Sequence, residues 1–307
     1  MSDHLAPLID AHCHPEAFAR DEWKRVVESA LQAGVQGCLA AGVWWDDFER
    51  LNSTCSTEVV DRVQSKVEFF RLFEDPTKFR VMASLGLHPM EIARRWRTES
   101  GDFDQCRAEQ DAAEFCCVAR AHSRLIWAIG ETGFDASRDC LKGWRDKQQL
   151  LKAQDFGFEV CLAVALELSL PLILHSRAAW GHTLERLKTA QTKGLGKFMV
   201  HCYPGPASDL PLLRRIGGFA SFGGVLTWPN AIRMREAMRL ATQHEYLLET
   251  DSPDLAPVLP GSEQIVRNEP RYLSAILSAV AQLRGESREE VAQAHFKNLA
   301  RYLVAVE

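Results

Sequence analysis

Short apolar segments alternate with longer amphipathic segments along most of the chain. The apolar segments are almost continuously hydrophobic, which is typical of strands that are covered on both faces of a sheet. We predict eight such strands, at residues 7–14, 35–43, 79–88, 125–135, 170–175, 197–202, 218–223 and 245–251.

The segments between these strands repeat their apolar residues with the period of a helix. Residues 21–33, for example, place Trp23, Val26 and Ala30 on one stripe. Further helices are predicted at residues 148–168, 207–216, 231–243, 269–283 and 288–304. Regular alternation of strand and helix indicates a parallel sheet closed into a (β/α)8 barrel, the TIM barrel. We predict an α/β protein of this class, with residues 1–307 as a single domain.

Two connections are longer than a simple barrel needs. Residues 44–78 and 91–124 each follow a predicted strand, and the second is rich in charge and is predicted to mix loop and helix. The loops that follow barrel strands lie at the mouth formed by the carboxyl ends of the strands. We therefore expect both long connections at that mouth.

Composition adds few constraints to this picture. The chain has 307 residues, of which 46% are hydrophobic and 25% charged, with a formal net charge of -5. This charge does not favour nucleic-acid binding through bulk basicity, although it leaves room for local contacts to phosphates. The nine cysteines show no repeating spacing, and neither a secretory leader nor a membrane-length apolar run is recognisable. We predict a cytoplasmic protein with reduced thiols and no membrane partner, and its oligomeric state is left open.

Residue types that bind metals cluster at the ends of five predicted strands. They are Asp10, His12 and His14, then Glu131, His175, His201 and Asp251. Because the carboxyl ends of all barrel strands meet at one mouth, these side chains should converge there. A lone buried histidine is more often a hydrogen-bonded core residue than a ligand. Agreement across five strands favours a metal centre, since buried imidazoles and carboxylates are costly without partners.

The local sequence around these residues strengthens the hypothesis. His12 and His14 should project to the same face of a strand, where they can share one ion. Glu131 stands between Gly130 and Gly133, which suggests a backbone that approaches a neighbour closely. Glu249 and Asp251 also share a face, so that either can ligate or act as a base while the other orients a neighbour. Mixed imidazole and carboxylate ligands suit zinc, manganese, iron or nickel, and a carboxylate-rich version tolerates magnesium.

Several motifs together resemble the TatD family of metal-dependent hydrolases and deoxyribonucleases, which belongs to the wider group of amidohydrolase-like barrels. In chain order they are residues 9–14 (IDAHCH), 86–89 (GLHP), 129–135 (IGETGFD), 174–177 (LHSR), 201–205 (HCYPG), 248–253 (LETDSP) and 267–270 (RNEP), and Asn298 also fits. The order matches that of the family and covers nearly the whole chain. The chain departs from the family pattern at Phe134, Cys161 and Tyr203-Pro204, none of which is a proposed ligand.

The resemblance implies a site with two divalent metal ions (Zn, Mg or Mn). His12, His14, Glu131 and Asp251 would hold one ion, and Glu131, His175 and His201 the other. His88, Arg177 and Arg267 would contact substrate or support the mouth. The implied reaction is 3'-5' exonuclease-type hydrolysis of DNA or another phosphodiester by a water molecule that the metals activate, with Asp251 as general base and Glu131 bridging the ions.

Two other functions remain open at this stage. A small-molecule amidohydrolase that cleaves a lactone, ester or cyclic amide would use the same metals, because fold and metal site do not fix the substrate. Related barrels often use a bridging lysine, however, and here Glu131 takes that position. A barrel without catalysis would serve as a binding partner, but such a protein usually has gaps in its ligand set.

Overall fold

Eight parallel strands form one sheet whose order follows the chain from the first strand to the eighth. The structure is a computed structural model, and it describes residues 6–55, 58–259, 261 and 267–304. The strands are β1 (Leu8–Cys13), β2 (Val35–Ala40), β3 (Arg80–Leu85), β4 (Ile126–Asp135), β5 (Leu172–Arg177), β6 (Phe198–Val200), β7 (Gly218–Phe222) and β8 (Tyr246–Leu248). Each lies within or beside a predicted strand, and the predicted (β/α)8 barrel is confirmed.

Hydrogen bonds beyond the end of β8 bring the last strand back to the first. The Asp251 amide donates to the His12 carbonyl at 2.9 Å, and the His14 amide donates to the Ser252 carbonyl at 2.8 Å. The buried Asp10 carboxylate accepts hydrogen bonds from the amide and the hydroxyl of Thr250. These contacts join the two edges at the level of the candidate ligands.

Twelve α-helices surround the strands in the described part of the chain. They are α1 (Arg20–Gln32), α2 (Asp47–Thr54), α3 (Lys66–Leu72), α4 (Pro89–Arg95), α5 (Gln105–Ala121), α6 (Arg138–Leu141), α7 (Lys147–Leu168), α8 (Trp180–Thr192), α9 (Leu210–Arg215), α10 (Ile232–Leu240), α11 (Leu273–Arg284) and α12 (Arg288–Leu303). The sequence pattern did not predict α8. Its buried positions, Thr183, Leu187 and Ala190, form a short stripe that includes a polar residue.

The first long connection lies only partly at the mouth. Its beginning, with α2, lies there, but α3 crosses to the opposite end of the barrel. Phe69 and Phe73 of this segment pack against inward-facing strand residues such as Met82 and Trp127. The expectation that all of residues 44–78 lies at the mouth is therefore wrong, because apolar residues in this segment cover the open base of the barrel.

The second long connection divides in a similar way. The helix α4 follows His88 at the mouth, whereas α5 packs on α7 in the outer layer. The indole of Trp96 donates to Asp111 of α5 at 2.8 Å, which ties the two parts together. Only the start of residues 91–124 therefore borders the mouth.

The described residues bear on the expectations for membrane-spanning helices and for cysteines. Among them, no helix is both long enough and apolar enough to cross a membrane. All nine cysteines lie in the described part and are free thiols. Cys116 and Cys117 lie on α5, half-buried and exposed respectively, so that this pair is part of a helix surface.

His295 is a buried histidine with a purely structural environment. Its Nδ1 accepts a hydrogen bond from the Leu248 amide at 3.1 Å, and its Nε2 donates to the Ile9 carbonyl at 2.6 Å. It therefore links α12 to both β1 and β8 as a neutral ring. Burial lowers the pKa of His295 to about 4.

This lowered pKa predicts a pH-dependent contribution of His295 to stability. Because the folded pKa lies below the unfolded one, the contribution is fully present above pH ~6.5 and is lost as the pH falls towards 4. We expect the advantage of the native chain over His295→Gln to shrink by about 1.4 kcal/mol per pH unit in this window. Urea unfolding of both chains at several pH values measures it. An advantage that does not change between pH 7.5 and 4.5 would contradict the assignment.

Candidate metal centre

The structure brings six of the predicted ligand residues to one place at the mouth of the barrel. They are His12, His14, Glu131, His175, His201 and Asp251. Three groups of three residues have ligand atoms close enough together to hold an ion. Two of these groups consist of the six residues alone, and the third also includes His88. The convergence expected from the strand ends is therefore present in the fold.

Four ligand atoms form the first cluster. The Nε2 atom of His12 lies 3.3 Å from Oε2 of Glu131 and 3.4 Å from Oδ1 of Asp251. The Nε2 atom of His14 lies 3.5 Å and 3.4 Å from the same two oxygens. A regular tetrahedron with metal–ligand bonds of about 2.1 Å has edges of about 3.4 Å. Four edges of this cluster thus match the dimensions of a metal site.

Three further atoms form the second cluster. Oε1 of Glu131 lies 3.2 Å from Nδ1 of His175 and 3.0 Å from Nε2 of His201, and these two nitrogens are 3.1 Å apart. The triangle is closed and compact, with the spacing of ligands that share an ion. Glu131 presents one oxygen to each cluster, which is the geometry of a bridging carboxylate.

In His14 and His175, a contact made by one ring nitrogen leaves the other nitrogen free to bind a metal. Nδ1 of His14 lies 3.0 Å from the Ala41 carbonyl, which can only accept, so that Nε2 keeps its lone pair for the site. Nε2 of His175 lies 3.3 Å from Oδ2 of Asp135, which leaves Nδ1 as the free nitrogen. Metal-bound histidines usually donate their other N–H to a carbonyl or carboxylate in this way.

The other two imidazoles carry buried polar atoms without hydrogen-bond partners among the described residues. They are both ring nitrogens of His12 and the Nδ1 atom of His201. Buried polar groups are rarely left without partners, and a buried nitrogen of this kind is suited to bind an ion. Together with the spacing of the donors, the unpartnered Nε2 of His12 shows that the residues present fit a divalent metal.

His88 differs from these ligands although it lies beside them. Its Nδ1 accepts a hydrogen bond from the Met90 amide at 3.1 Å, as the N-cap of α4. The proton of the neutral ring is therefore on Nε2, which lies 3.3 Å from Oε1 of Glu131. An Nε2–H group cannot ligate a metal. His88 is thus a hydrogen-bond donor to Glu131 or to a bound molecule.

Two register shifts in the sheet lie beside candidate ligand residues and change the direction of their side chains. The register between β1 and β2 shifts between Asp10 and Cys13, so that β1 holds an extra residue beside His12. The register between β4 and β5 shifts between Ile129 and Thr132, beside Glu131. Bulges of this kind re-aim side chains next to active sites. The side chains of His12 and His14 reach the same cluster, as expected. The bulge in β1 interrupts the regular alternation from which this was predicted.

The backbone around Glu131 is packed against its neighbours, as its flanking glycines suggested. A Cβ atom on Gly130 would lie 2.4 Å from the Ile173 carbonyl oxygen, and one on Gly133 would lie 2.2 Å from the His175 carbonyl oxygen. The Ser84 hydroxyl donates to the Gly130 carbonyl at 2.7 Å. These contacts hold Glu131 at a fixed height in the barrel.

Gly86 offers a direct test of this packing. A Cβ atom there would lie 2.3 Å from the carbonyl oxygen and 2.4 Å from the amide nitrogen of Glu131. We expect Gly86→Ala to move Glu131, to reduce bound metal and to lower turnover by roughly 100-fold, the cost of a misplacement of about 1 Å. Metal content and rate are the measurements. Gly181→Ala, on α8 with no atom within 4 Å, is the control and should behave like the native chain.

The charges of the site are strongly coupled. Burial opposes a charge on His12, but the adjacent Glu131 and Asp251 carboxylates outweigh it and raise the pKa of His12 to about 10. Burial likewise opposes ionisation of Glu131, yet the surrounding imidazoles hold its pKa well below the usual range. The adjacent His12 and His14 rings likewise outweigh burial and hold the pKa of Asp251 below its usual range. The two carboxylates are ionised and attract positive charge.

Two buried carboxyl groups support the site from outside. Oε2 of Glu249 accepts from the Ser221 hydroxyl at 2.5 Å, and its Oε1 accepts from the Cys202 amide at 2.6 Å and lies 3.8 Å from Nδ1 of His201. Burial raises the pKa of Glu249 to about 8 and that of Asp10 to about 7. Of the two acids after β8, Asp251 therefore faces the ligand cluster, and Glu249 lies behind His201.

The clusters open into a cavity of about 960 Å³. His88 and Arg177 line it, as the resemblance implied for residues that contact substrate. Arg267 does not line it: its guanidinium lies 4.6 Å from the centre of the Phe18 ring and donates to the Ala17 carbonyl at 2.8 Å. Arg267 therefore supports the segment that follows His14.

Some residues of the site were not singled out from the sequence. Asp135 orients His175, Ser84 fixes the Gly130 carbonyl, and Glu16 lies 3.2 Å from Nδ1 of His14. Asp135 ends the segment 129–135 (IGETGFD), so that a carboxylate four residues after Glu131 was an available signal. Ser84 had none, because its role depends on the register of three neighbouring strands.

The fold and the site together define a (β/α)8 barrel with a candidate metal centre at the carboxyl ends of its strands. The model of the TatD related DNase family matches residues 9–303, and the chain belongs to that family. The family resemblance expected from the motifs is thereby confirmed.

Similar proteins agree with this assignment. The chain is 28% identical to an uncharacterized metal-dependent hydrolase, YabD, of Bacillus subtilis, over 96% of this chain and 98% of the relative. It is 30% identical to the 3'-5' ssDNA/RNA exonuclease TatD of Pantoea vagans, over 90% of each chain. The solved structure of YjjV, a TatD homologue of Escherichia coli, has a TM-score of 0.74 at 22% identity and covers 98% of this chain, which supports the fold.

Proposed function

We propose that this chain is a divalent-metal-dependent phosphodiesterase, and specifically an exonuclease-type deoxyribonuclease with 3'-5' polarity. Two ions are proposed, with His12, His14, Glu131 and Asp251 as one ligand set. Glu131, His175 and His201 form the other. The observation that carries the proposal is that Glu131 offers one carboxylate oxygen to each of two clusters with metal-site spacing.

The donor set bears on the metal that fits. Four imidazoles and two carboxylates suit zinc or manganese, and magnesium fits a nitrogen-rich site less well. When bound, divalent ions would stabilise the negative charge that develops on a phosphoryl oxygen and lower the pKa of water at the site.

The protein's own groups have separate roles in the proposed reaction. Asp251 is ionised, lines the cavity and can accept the proton that the attacking water loses. His88 carries its proton on Nε2, because Nδ1 accepts from the Met90 amide. This Nε2–H group can donate to a phosphoryl oxygen. Arg177 lies on the cavity wall, where it can contact a phosphate of the substrate.

The substrate class rests on the relatives rather than on the bulk charge of the protein. The relative from Pantoea vagans is named as an exonuclease for single-stranded DNA and RNA. A net charge of -5 fits an enzyme that uses few phosphate contacts at one cavity, with a shallow salt dependence. The free thiols and the lack of a membrane-spanning helix among the described residues are compatible with the cytoplasmic location that we propose.

The test is hydrolysis of single-stranded DNA oligonucleotides labelled at either end, with manganese, magnesium or zinc and with a chelator control. We expect metal-dependent shortening, with a ladder from the 5'-labelled strand and early release of the 3' label. The His175→Ala variant should be inactive. No cleavage by a protein that contains two ions per chain would reject the proposal and favour a small ester or amide substrate.

A further inference from the structure

Three arginines stand together on the rim of the metal cavity. Arg50 belongs to α2, and Arg94 and Arg95 end α4. All three line the cavity that contains the two ligand clusters. The segments that carry them follow the neighbouring strands β2 and β3, so that the guanidinium groups occupy one side of the mouth. We call this group the arginine arc.

Short contacts hold the arc in place. Arg94 and Arg95 share the Glu91 carboxylate, at 2.6 Å and 3.0 Å. The Arg95 guanidinium also lies 4.8 Å from the centre of the Trp44 ring. Arg50 pairs with Asp47 at 2.8 Å. Each of these ion pairs uses one guanidinium nitrogen, and an arginine carries five N–H donors in all. Most of the donors are therefore free for another acceptor.

Arg94 and Arg95 lie further along α4 than the end that borders the metal centre. His88 precedes α4 and contacts Glu131, whereas Arg94 and Arg95 follow six and seven residues later. At a rise of 1.5 Å per residue, that places them on the order of 10 Å along the helix from His88. Groups at this distance are suitably placed to bind the phosphates next in line on a polynucleotide, beyond the phosphate at the metal centre.

The exposure of the guanidinium groups also favours an anion. The carboxylates that pair with the arc lie beneath these groups: Asp47 is buried, and the Glu91 side chain is 15% exposed where that of Arg94 is 67% exposed. Exposed guanidinium groups on the wall of the cavity can therefore contact the phosphates of a polyanion directly. Arginine forks match phosphate oxygens well.

We propose that Arg50, Arg94 and Arg95 form a binding subsite for the phosphate backbone of single-stranded nucleic acid, adjacent to the metal centre. This inference rests on the proposed function and deepens it. The subsite would select polynucleotides over small phosphodiesters by their length, with no reading of the bases. It also gives the start of each long connection a role at the mouth.

The test compares two substrates of different length. The double variant Arg50→Gln/Arg94→Gln is assayed on a single-stranded DNA 12-mer and on bis(4-nitrophenyl) phosphate, which is too small to reach the arc. We expect KM for the 12-mer to rise roughly tenfold or more with kcat little changed, and kcat/KM for the small ester to stay within about twofold. The slope of log KM against log salt should fall by about 1.4, about 0.7 for each lost phosphate contact.

A matched control variant removes two arginines that lie away from the metal cavity. Arg120 and Arg124 are exposed and pair with Glu167 and Asp61, and neither lines the cavity. The Arg120→Gln/Arg124→Gln variant should match the native chain on both substrates. The inference is overturned if the arc variant behaves like this control, or if its kcat/KM falls equally for both substrates. A native chain that cleaves neither substrate when loaded with metal would instead reject the proposed function.

Discussion

The Glu131→Gln variant is expected to lose both metal ions and nearly all hydrolytic activity while it keeps its fold. Its two carboxylate oxygens lie 3.3 Å from His12 and 3.0 Å from His201, in separate clusters. Glutamine has nearly the same shape but cannot bridge two cations as an anion. Since metal ions supply several kcal/mol of transition-state stabilisation, a rate loss on the order of 1,000-fold or more follows.

Metal content per chain and initial rate on an oligonucleotide measure this outcome. Glu245→Gln is the matched control, because Glu245 is a buried glutamate at the opposite end of β8 that bonds Thr242 and Arg214. This control should keep both ions and the native rate. A Glu131→Gln protein that still holds two ions would contradict the bridging role.

The His12→Ala/His14→Ala variant is expected to lose one ion and keep the other. These two imidazoles belong only to the first cluster, and the second cluster of Glu131, His175 and His201 contains neither of them. One bound ion per chain should therefore remain, and turnover should fall on the order of 1,000-fold, equivalent to about 4 kcal/mol.

Elemental analysis after removal of free metal distinguishes this pattern from a general collapse of the site. His244→Ala, on an exposed residue at the other end of the barrel, should retain two ions. Two full equivalents in the double variant would show that His12 and His14 are not ligands. A loss of both ions would show that the clusters do not bind independently.

Periodicity and strand ends predicted the barrel and the convergence of the ligand residues. That success has a simple origin, because parallel strands deliver the residues at their carboxyl ends to one mouth whatever the details of packing. Strand alternation placed Glu249 and Asp251 on one face, but β8 ends at Leu248 and both residues follow it. In the fold Asp251 faces the ligand cluster, whereas Glu249 contacts Ser221 and Cys202 behind His201, a difference that the sequence alone does not encode.

The features that escaped prediction depend on contacts between distant segments. The extra residue beside His12 and the register shift beside Glu131 arise from pairing with β2 and β5, which a single strand does not encode. The position of α3 under the barrel was also hidden, since an amphipathic segment with Phe69 and Phe73 could cover either end. Arg267 was expected to contact substrate or to support the mouth, and its place on Phe18 corresponds to the second of these roles.

Reconstitution with metal measures how many ions per chain the hydrolysis requires. The chelator-stripped protein is titrated with manganese or zinc, and the rate of cleavage of a single-stranded DNA oligonucleotide is measured against bound metal per chain. We expect little activity at one ion per chain and a plateau at two. Cleavage that persists in the stripped protein, a plateau at one ion, or no cleavage with two ions bound would contradict this expectation.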